Sequence, residues 1–279
     1  MKKILLVDGC NLLFQMFFGM PSRIINENGK AIQGTLGFVG ALLKIIRMTK
    51  PSYVAVLFDG ESHNPRVDVD AEYKANREDY SKVAEEENPF LQLPDIYAAL
   101  DFLGICHAET VDCEADDWMA GYVLRYIEEE FVIASFDSDF FQLISDRVTV
   151  LRYRGEKSVF CDVAYLQDKF NISPDRYADF KSLTGDTADN IKGAEKVGPK
   201  TASELVNKFG SLEEILGRAE EIKKPSVRES VRRDADRLRI NYRLIKLDGT
   251  DELPFTLEEL AWQDSGVTTT EVLKGIGLK

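Results

Sequence analysis

Three runs of this sequence are continuously apolar for four or five residues and then reach an aspartate: Ile4 to Asp8 (ILLVD), Val54 to Asp59 (VAVLFD) and Phe131 to Asp139 (FVIASFDSD). A strand with no polar alternation has no face for water, so runs of this kind predict central strands of a parallel sheet covered by helices on both sides. Ligands of such sheets bind beyond the carboxyl ends of the strands. One strand that ends in aspartate is ordinary turn chemistry. Three of them aim acids at a single edge.

The segments between the runs fit an α/β fold. Gly37 to Pro51 and Leu93 to Gly104 read as helices, the first stopped by proline and the second closed by glycine. Ala115, Trp118, Met119, Tyr122 and Tyr126 recur at helical spacing, which predicts a helix opening near Glu114. Leu151 to Phe160 suits a hairpin around Arg154 and Gly155. Residues 61–92 stand apart as a polar, charged insertion, either a solvated loop or a functional lid. After Asn171 only helical patterns remain, among them Lys200 to Gly210 and a capping box of Ser211 with Glu214. The expected organisation is an α/β core over 1–172 and a helical region over 173–279, with a short hairpin motif at about 184–210.

The chain has 279 residues and a net charge of −13, which at face value disfavours a nucleic-acid partner. That objection weakens if the acids converge on bound cations. Charge is also segregated, since 181–243 holds 14 Lys and Arg against 11 Asp and Glu. Four cysteines without CxxC spacing and only two histidines make a zinc site or a disulfide framework improbable. The apolar run at the N-terminus is too short for a signal peptide or a membrane span, so a cytoplasmic protein without membrane contact is expected.

Asp8, Asp59, Glu114, Asp116, Asp117, Asp137, Asp139, Asp186 and Asp189 all fall at predicted strand ends or helix starts, and no matching set of basic residues lies beside them in sequence. Acids at Glu114, Asp116 and Asp117 could merely cap a helix. Nine converging carboxylates need positive charge, and hard oxygen donors without His or Cys select Mg²⁺ or Mn²⁺. Helical geometry puts Asp116 about 200° round the axis from Glu114, at about 100° per residue, so the three acids converge only around the helix start. Paired metals are the machinery of phosphate-ester hydrolysis. Beside Asp186 and Asp189, Gly193 and Gly198 with Lys196, Lys200 and Thr201 make a turn entering a helix, a cradle for phosphate that reads no bases.

Six ordered motifs, LLVDGCNLLF, AVLFDG, YKANR, EADD, FDSDFFQLIS and GDTADNIKGAEKVGPKTA, span roughly residues 1 to 215. Together they resemble the 5′-nuclease family of flap endonucleases and 5′→3′ exonucleases, in the bacterial form found at the N-terminus of DNA polymerase I or free-standing. The resemblance implies a PIN-like core with Asp8, Asp59, Glu114 and Asp116 at one metal and Asp137, Asp139 and Asp189 at a second, supported by Asp117 and Asp186. It makes the insertion an arch over a single-stranded 5′ end, with Tyr73 as a stacking platform and Lys74, Arg77 and Arg66 on the scissile phosphate. The hairpin becomes a helix-hairpin-helix that grips duplex backbone and holds K⁺. The implied partners are DNA with a 5′ flap, nick or 5′ end, and an RNA primer, handled by a free-standing monomer. Pro65 replaces the family's aromatic before the arginine, and Glu85 to Glu87 add negative charge to the arch. Two competing readings are a haloacid-dehalogenase phosphatase, whose Asp-x-Asp should follow the first strand where Asp8-Gly9-Cys10 stands, and a non-catalytic DNA-binding scaffold.

Overall fold

Strand β1 (Lys3–Asp8) is the axis of a six-stranded sheet. On one side it pairs in parallel with β2 (Tyr53–Phe58), which in turn carries β3 (Cys106–Glu109). On the other it pairs in parallel with β4 (Glu130–Ala134), followed by β5 (Val148–Arg152), and β6 (Val159–Cys161) closes that edge antiparallel as the second arm of the expected hairpin. The computed structural model describes residues 1–60, 64–250 and 252–278. Glu61 to His63, the start of the expected insertion, lie outside the described residues.

Alternation along β1 explains why the sheet is covered twice. Ile4 and Leu6 enter a core with Met119, Tyr122 and Phe141, whereas Leu5 and Val7 enter another with Leu13, Phe38 and Leu42. All four are fully buried, and each such side chain stabilises the fold by roughly 1.5–3 kcal/mol. Helices α1 (Gly9–Gly19), α2 (Gln33–Thr49), the five-residue α3 (Pro65–Val69) and α4 (Leu93–Leu103) fill the first half of the chain. Of these, α1, α2 and α4 cover the Leu5 face. Helix α5 (Ala115–Arg125) covers the Ile4 face. Helix α2 starts four residues before the expected Gly37, because Gln92 accepts from the Thr35 N–H at 2.9 Å and replaces a local cap with a distant one.

The inserted segment is ordered by short turns and aromatic contacts. Tyr80 stands edge-on to Phe14 of α1 at 5.2 Å and to Phe90 at 5.6 Å, which pins its outer arm to the core.

The second half of the chain continues with α6 (Val163–Phe170), α7 (Tyr177–Thr184), α8 (Pro199–Phe209), α9 (Leu212–Gly217), α10 (Pro225–Arg233) and α11 (Ala235–Ile245). Their apolar faces join the Ile4 core without a break, through Phe180, Leu205, Phe209, Ile215 and Leu238. Residues beyond 246 depart from the expected helical region. They cross back to the sheet, where β3 leaves the first residues of β2 unpaired. There Val54 N–H donates to the Leu260 carbonyl and Trp262 N–H to the Ser52 carbonyl, each at 2.9 Å. Buried backbone groups need partners, and this tail supplies them. Helix α12 (Thr269–Gly275) then adds Val272 to the Leu5 core.

Between α7 and α8, β7 (Gly185–Asp186) and β8 (Ile191–Lys192) form a two-stranded hairpin. A Cβ on Gly193 would lie 2.3 Å from the Thr184 carbonyl carbon, so only glycine lets the hairpin seat against the end of α7. Gly193→Ala should therefore lower the stability of the fold by about 1–3 kcal/mol, read as a lower urea midpoint. An unchanged midpoint would contradict this close approach.

Candidate metal centre and nucleic-acid interface

The strand order reverses between β1 and β4, and at such a switch point the two outgoing loops diverge to leave a crevice. Asp8 stands on one side of it and Ser135 to Asp137 on the other. Asp8 caps α1 by accepting from the Asn11 N–H at 3.0 Å, and its second oxygen accepts from Ser135 Oγ at 2.8 Å. Ser135 Oγ accepts from the Asp137 N–H at 2.9 Å, and Asp137 from the Asp139 N–H at 2.8 Å. Asn11 completes the bracing by accepting from the Phe136 N–H at 3.0 Å. Asp59, just past β2, accepts from the Ala115 N–H at 2.8 Å and so meets the positive end of α5.

The acids of the Glu114 helix start form one group. Glu114 precedes α5, and its own N–H is capped by Asp117 at 3.1 Å. Arg66, buried on α3, bonds Glu114, Asp116 at 3.1 Å and Asp117 at 2.9 Å. This one guanidinium reaches round the helix start and gathers acids that point different ways. Lys74 also bonds Glu114, as do Tyr73 Oη at 3.0 Å and Asn64 Nδ2 at 2.9 Å.

A second group forms where Asp139, which opens a short helical turn after β4, meets the β7–β8 hairpin. Asp139, Asp186 and Asp189 each offer a carboxylate oxygen, and these lie within 4.8 Å of one another. Lys181 of α7, 5 % exposed, bonds Asp139, Asp186 at 2.5 Å and Ser138 Oγ at 3.0 Å. Arg77 bonds Asp189 at 2.9 Å. Helix α11 braces the hairpin from behind. Asn241 Nδ2 donates to the Ser182 and Lys192 carbonyls at 3.0 and 2.9 Å, and Arg237 to the Gly193 carbonyl at 3.1 Å.

Two expectations need correction. The acids do have basic partners, Arg66, Lys74, Arg77 and Lys181, which sequence distance conceals. Tyr73 is no exposed platform: it is 5 % exposed, packed on Ala178, Ile191, Leu244 and Ile245, because its ring finds an apolar seat while its hydroxyl finds Glu114. Lys181, Asn11, Ser135 and Asn241 escaped the sequence reading. A signal existed for Lys181, which shares a helical face with Tyr177 and Thr184 in an otherwise buried helix.

Electrostatics record the crowding. Burial, with Asp59 and Asp137 nearby, pushes Asp8 up to about 7. Burial also lifts Asp116 well above the usual range, reinforced by Glu114 and Asp117 and only partly opposed by Arg66. Glu114 is held below it because Lys74 and Arg66 outweigh its desolvation. The donors are oxygens throughout, a set that fits a hard divalent cation.

On the hairpin side, the backbone at Gly198 faces open space, with nothing within 4 Å of a Cβ built there. Gly198 precedes α8, whose N-terminus has no side-chain cap. Lys200 and Thr201 in its first turn, with Lys208, Lys223 and Lys224, line an adjoining groove. Lys196 lies on the surface with left-handed backbone, φ 66°. Gly193 faces inward, against Thr184.

Residues 3–171 match the family model for the 5′-3′ exonuclease N-terminal resolvase-like domain, and 172–267 the 5′-3′ exonuclease C-terminal SAM fold. The chain belongs to the 5′-3′ exonuclease family. A 5′-3′ exonuclease of Aquifex aeolicus is 30% identical over 263 residues, covering 93% of this chain and 86% of that protein. DNA polymerase I of Thermus aquaticus is 33% identical over 251 residues, 88% of this chain, but the match spans only 28% of the polymerase. In three dimensions the fold is that of T5 5′-exonuclease with bound divalent zinc, TM-score 0.73 at 22% identity, covering 99% of this chain and all of that one. The catalytic core of Rad2 in complex with DNA substrate follows, TM-score 0.60 at 15% identity over 99% of this chain and 92% of that one. Among the described residues no helix is long and apolar enough to cross a membrane.

The raised Asp8 sets a pH dependence. The folded chain holds this proton to higher pH than the unfolded one, so Asp8 favours folding below about pH 4 and that contribution is lost as pH rises toward 7. With chelator at pH 8, Asp8→Asn should be more stable than wild type by about 2 kcal/mol, after allowing for solvent at this partly exposed side chain. The difference should vanish near pH 4, and guanidinium titrations at both pH values check it.

Proposed function

We propose that this chain is a Mg²⁺-dependent, structure-selective nuclease that hydrolyses DNA phosphodiesters near junctions of single strand and duplex, working from a 5′ end or flap. The observation that carries this reading is the convergence of two carboxylate groups at the switch point of one sheet, one of them with three oxygens within 4.8 Å. Family membership supports it, as do the relatives, a 5′-3′ exonuclease in Aquifex and a T5 flap endonuclease in complex with DNA and metal ions.

In this reading Asp8, Asp59, Glu114 and Asp116 hold one divalent ion, supported by Asp117, and Asp137, Asp139 and Asp189 hold a second, supported by Asp186, whose carboxylate oxygen lies within 4.8 Å of those of Asp139 and Asp189. Bound ions there would lower the pKa of the attacking water and offset charge on the phosphate. The chain's own residues supply the rest. Lys74, Arg77 and Arg66 would turn from these carboxylates onto the scissile phosphate, as charge-assisted donors. The hairpin with Gly198, Lys196, Lys200 and Thr201 grips a backbone phosphate of the duplex through N–H groups and lysine charge. Hydrolysis adds water across the P–O3′ bond and leaves a 5′-phosphate and a 3′-hydroxyl. The phosphatase alternative lacks an Asp-x-Asp after β1, where Asp8 is followed by Gly9 and Cys10.

The direct test incubates an end-labelled 5′-flap duplex with the protein and Mg²⁺, then with chelator, and sizes the products. Cleavage near the junction that stops with chelator is expected; loss of label only as inorganic phosphate would favour the phosphatase. Asp189→Asn and Asp116→Asn should each reduce the single-turnover rate by at least about 100-fold while duplex affinity by anisotropy stays near wild type. Lys200→Ala should weaken duplex binding and lower the slope of log affinity against log salt by about 1. An unchanged slope would remove Lys200 from the interface.

A further inference from the structure

Arg66 and Lys74 together carry the charge of one divalent ion, and they sit on the carboxylates that such an ion would take. Against the three formal charges of Glu114, Asp116 and Asp117 they leave a formal residual of one negative charge. The second group repeats this balance: Lys181 and Arg77 stand against Asp139, Asp186 and Asp189. Three of the four cations come from twelve residues of the inserted segment.

That segment is docked by more than charge. Lys74 N–H donates to the Asp189 carbonyl at 3.0 Å, Asn76 Nδ2 to the Thr187 carbonyl at 3.0 Å, and Asn190 Nδ2 to the Glu72 carbonyl at 2.8 Å. Val69 and Tyr73 add apolar contacts to Ala178, Ile191, Leu244 and Ile245. Neutral contacts of this kind persist when ion pairs are exchanged, so the backbone can stay in place while the charged ends move.

We propose that Arg66, with Lys74 and Arg77, is a resident counter-ion of the pocket: it holds the carboxylates in position in the absence of divalent ions and is displaced when they bind. Ion binding is then an exchange, and its affinity is set partly by how tightly these side chains hold the acids. Displacement also releases the same cations toward substrate phosphate. The inference rests on the metal sites assigned under the proposed function.

The test uses Mn²⁺ alone, without DNA. Free Mn²⁺ is counted by electron paramagnetic resonance, and melting is followed with and without the ion. Arg66→Gln should melt below wild type in chelator, bind Mn²⁺ about tenfold more tightly, and gain more melting temperature from Mn²⁺ than wild type does. Arg77→Gln, whose side chain is 52 % exposed and safe for folding, should shift in the same direction to a smaller extent, and it decides the matter alone if Arg66→Gln is too unstable to assay. Mn²⁺ affinity equal to or weaker than wild type in the variants overturns the exchange. Asp116→Asn separates the two levels. If it loses Mn²⁺ while the arginine variants gain nothing, the metal site stands and the exchange fails. If it binds like wild type, or if wild type binds no Mn²⁺, the metal assignment itself fails and takes the exchange with it.

Discussion

Repulsion among carboxylates at one edge of one sheet is the constraint to which the rest of this structure answers. Two such charges 4 Å apart cost about 4 kcal/mol at the effective dielectric of a protein surface, and more as water is excluded. Several of these pairs, left alone, would cancel the whole stability of an ordinary domain. The chain offsets them with cations drawn from distant segments, Arg66 and Lys74 from the insertion and Lys181 from α7. It adds backbone dipoles as well, Ala115 N–H on Asp59 and Asn11 N–H on Asp8.

The neutral framework around the acids has a division of labour. The buried strands fix where Asp8, Asp59 and the loop after β4 emerge, and Asn11 and Ser135 tie the two sides of the crevice together. Helix α11 does the same for the hairpin that carries Asp186 and Asp189. A half-satisfied polar network would be worse than none, and here each of the nine acids accepts at least one hydrogen bond or ion pair.

The central fold was legible in the sequence because unbroken apolar runs leave few alternatives. The runs Ile4 to Val7, Val54 to Phe58 and Phe131 to Ala134 became adjacent parallel strands, and the hairpin near Gly155 paired as expected. Pattern reading also put Asp8 at a strand end and Glu114 at a helix start, since these are local features. It did not find the partners of the acids. Arg66 meets Asp117 across 51 residues and Lys181 meets Asp139 across 42, and periodicity carries no information over such distances. Tyr73 was misread for the same reason: its apolar seat is built by Ala178, Ile191, Leu244 and Ile245, which the local sequence around it cannot announce. The return of the tail to β2 was hidden because irregular backbone pairing has no periodic signature.

That return has a consequence for how a strand of DNA would be measured. The helical region departs from the sheet after β6 and is fastened to it again at Leu260 and Trp262, with a shared core between. Two points of attachment remove the swivel that a singly tethered module would have. In the proposed reading, the hairpin at Gly198 and the acids at the crevice would then be the two jaws of a caliper. A duplex held by one jaw presents its backbone to the other at a set number of nucleotides, so the place of scission would be a property of the scaffold and not of the base sequence.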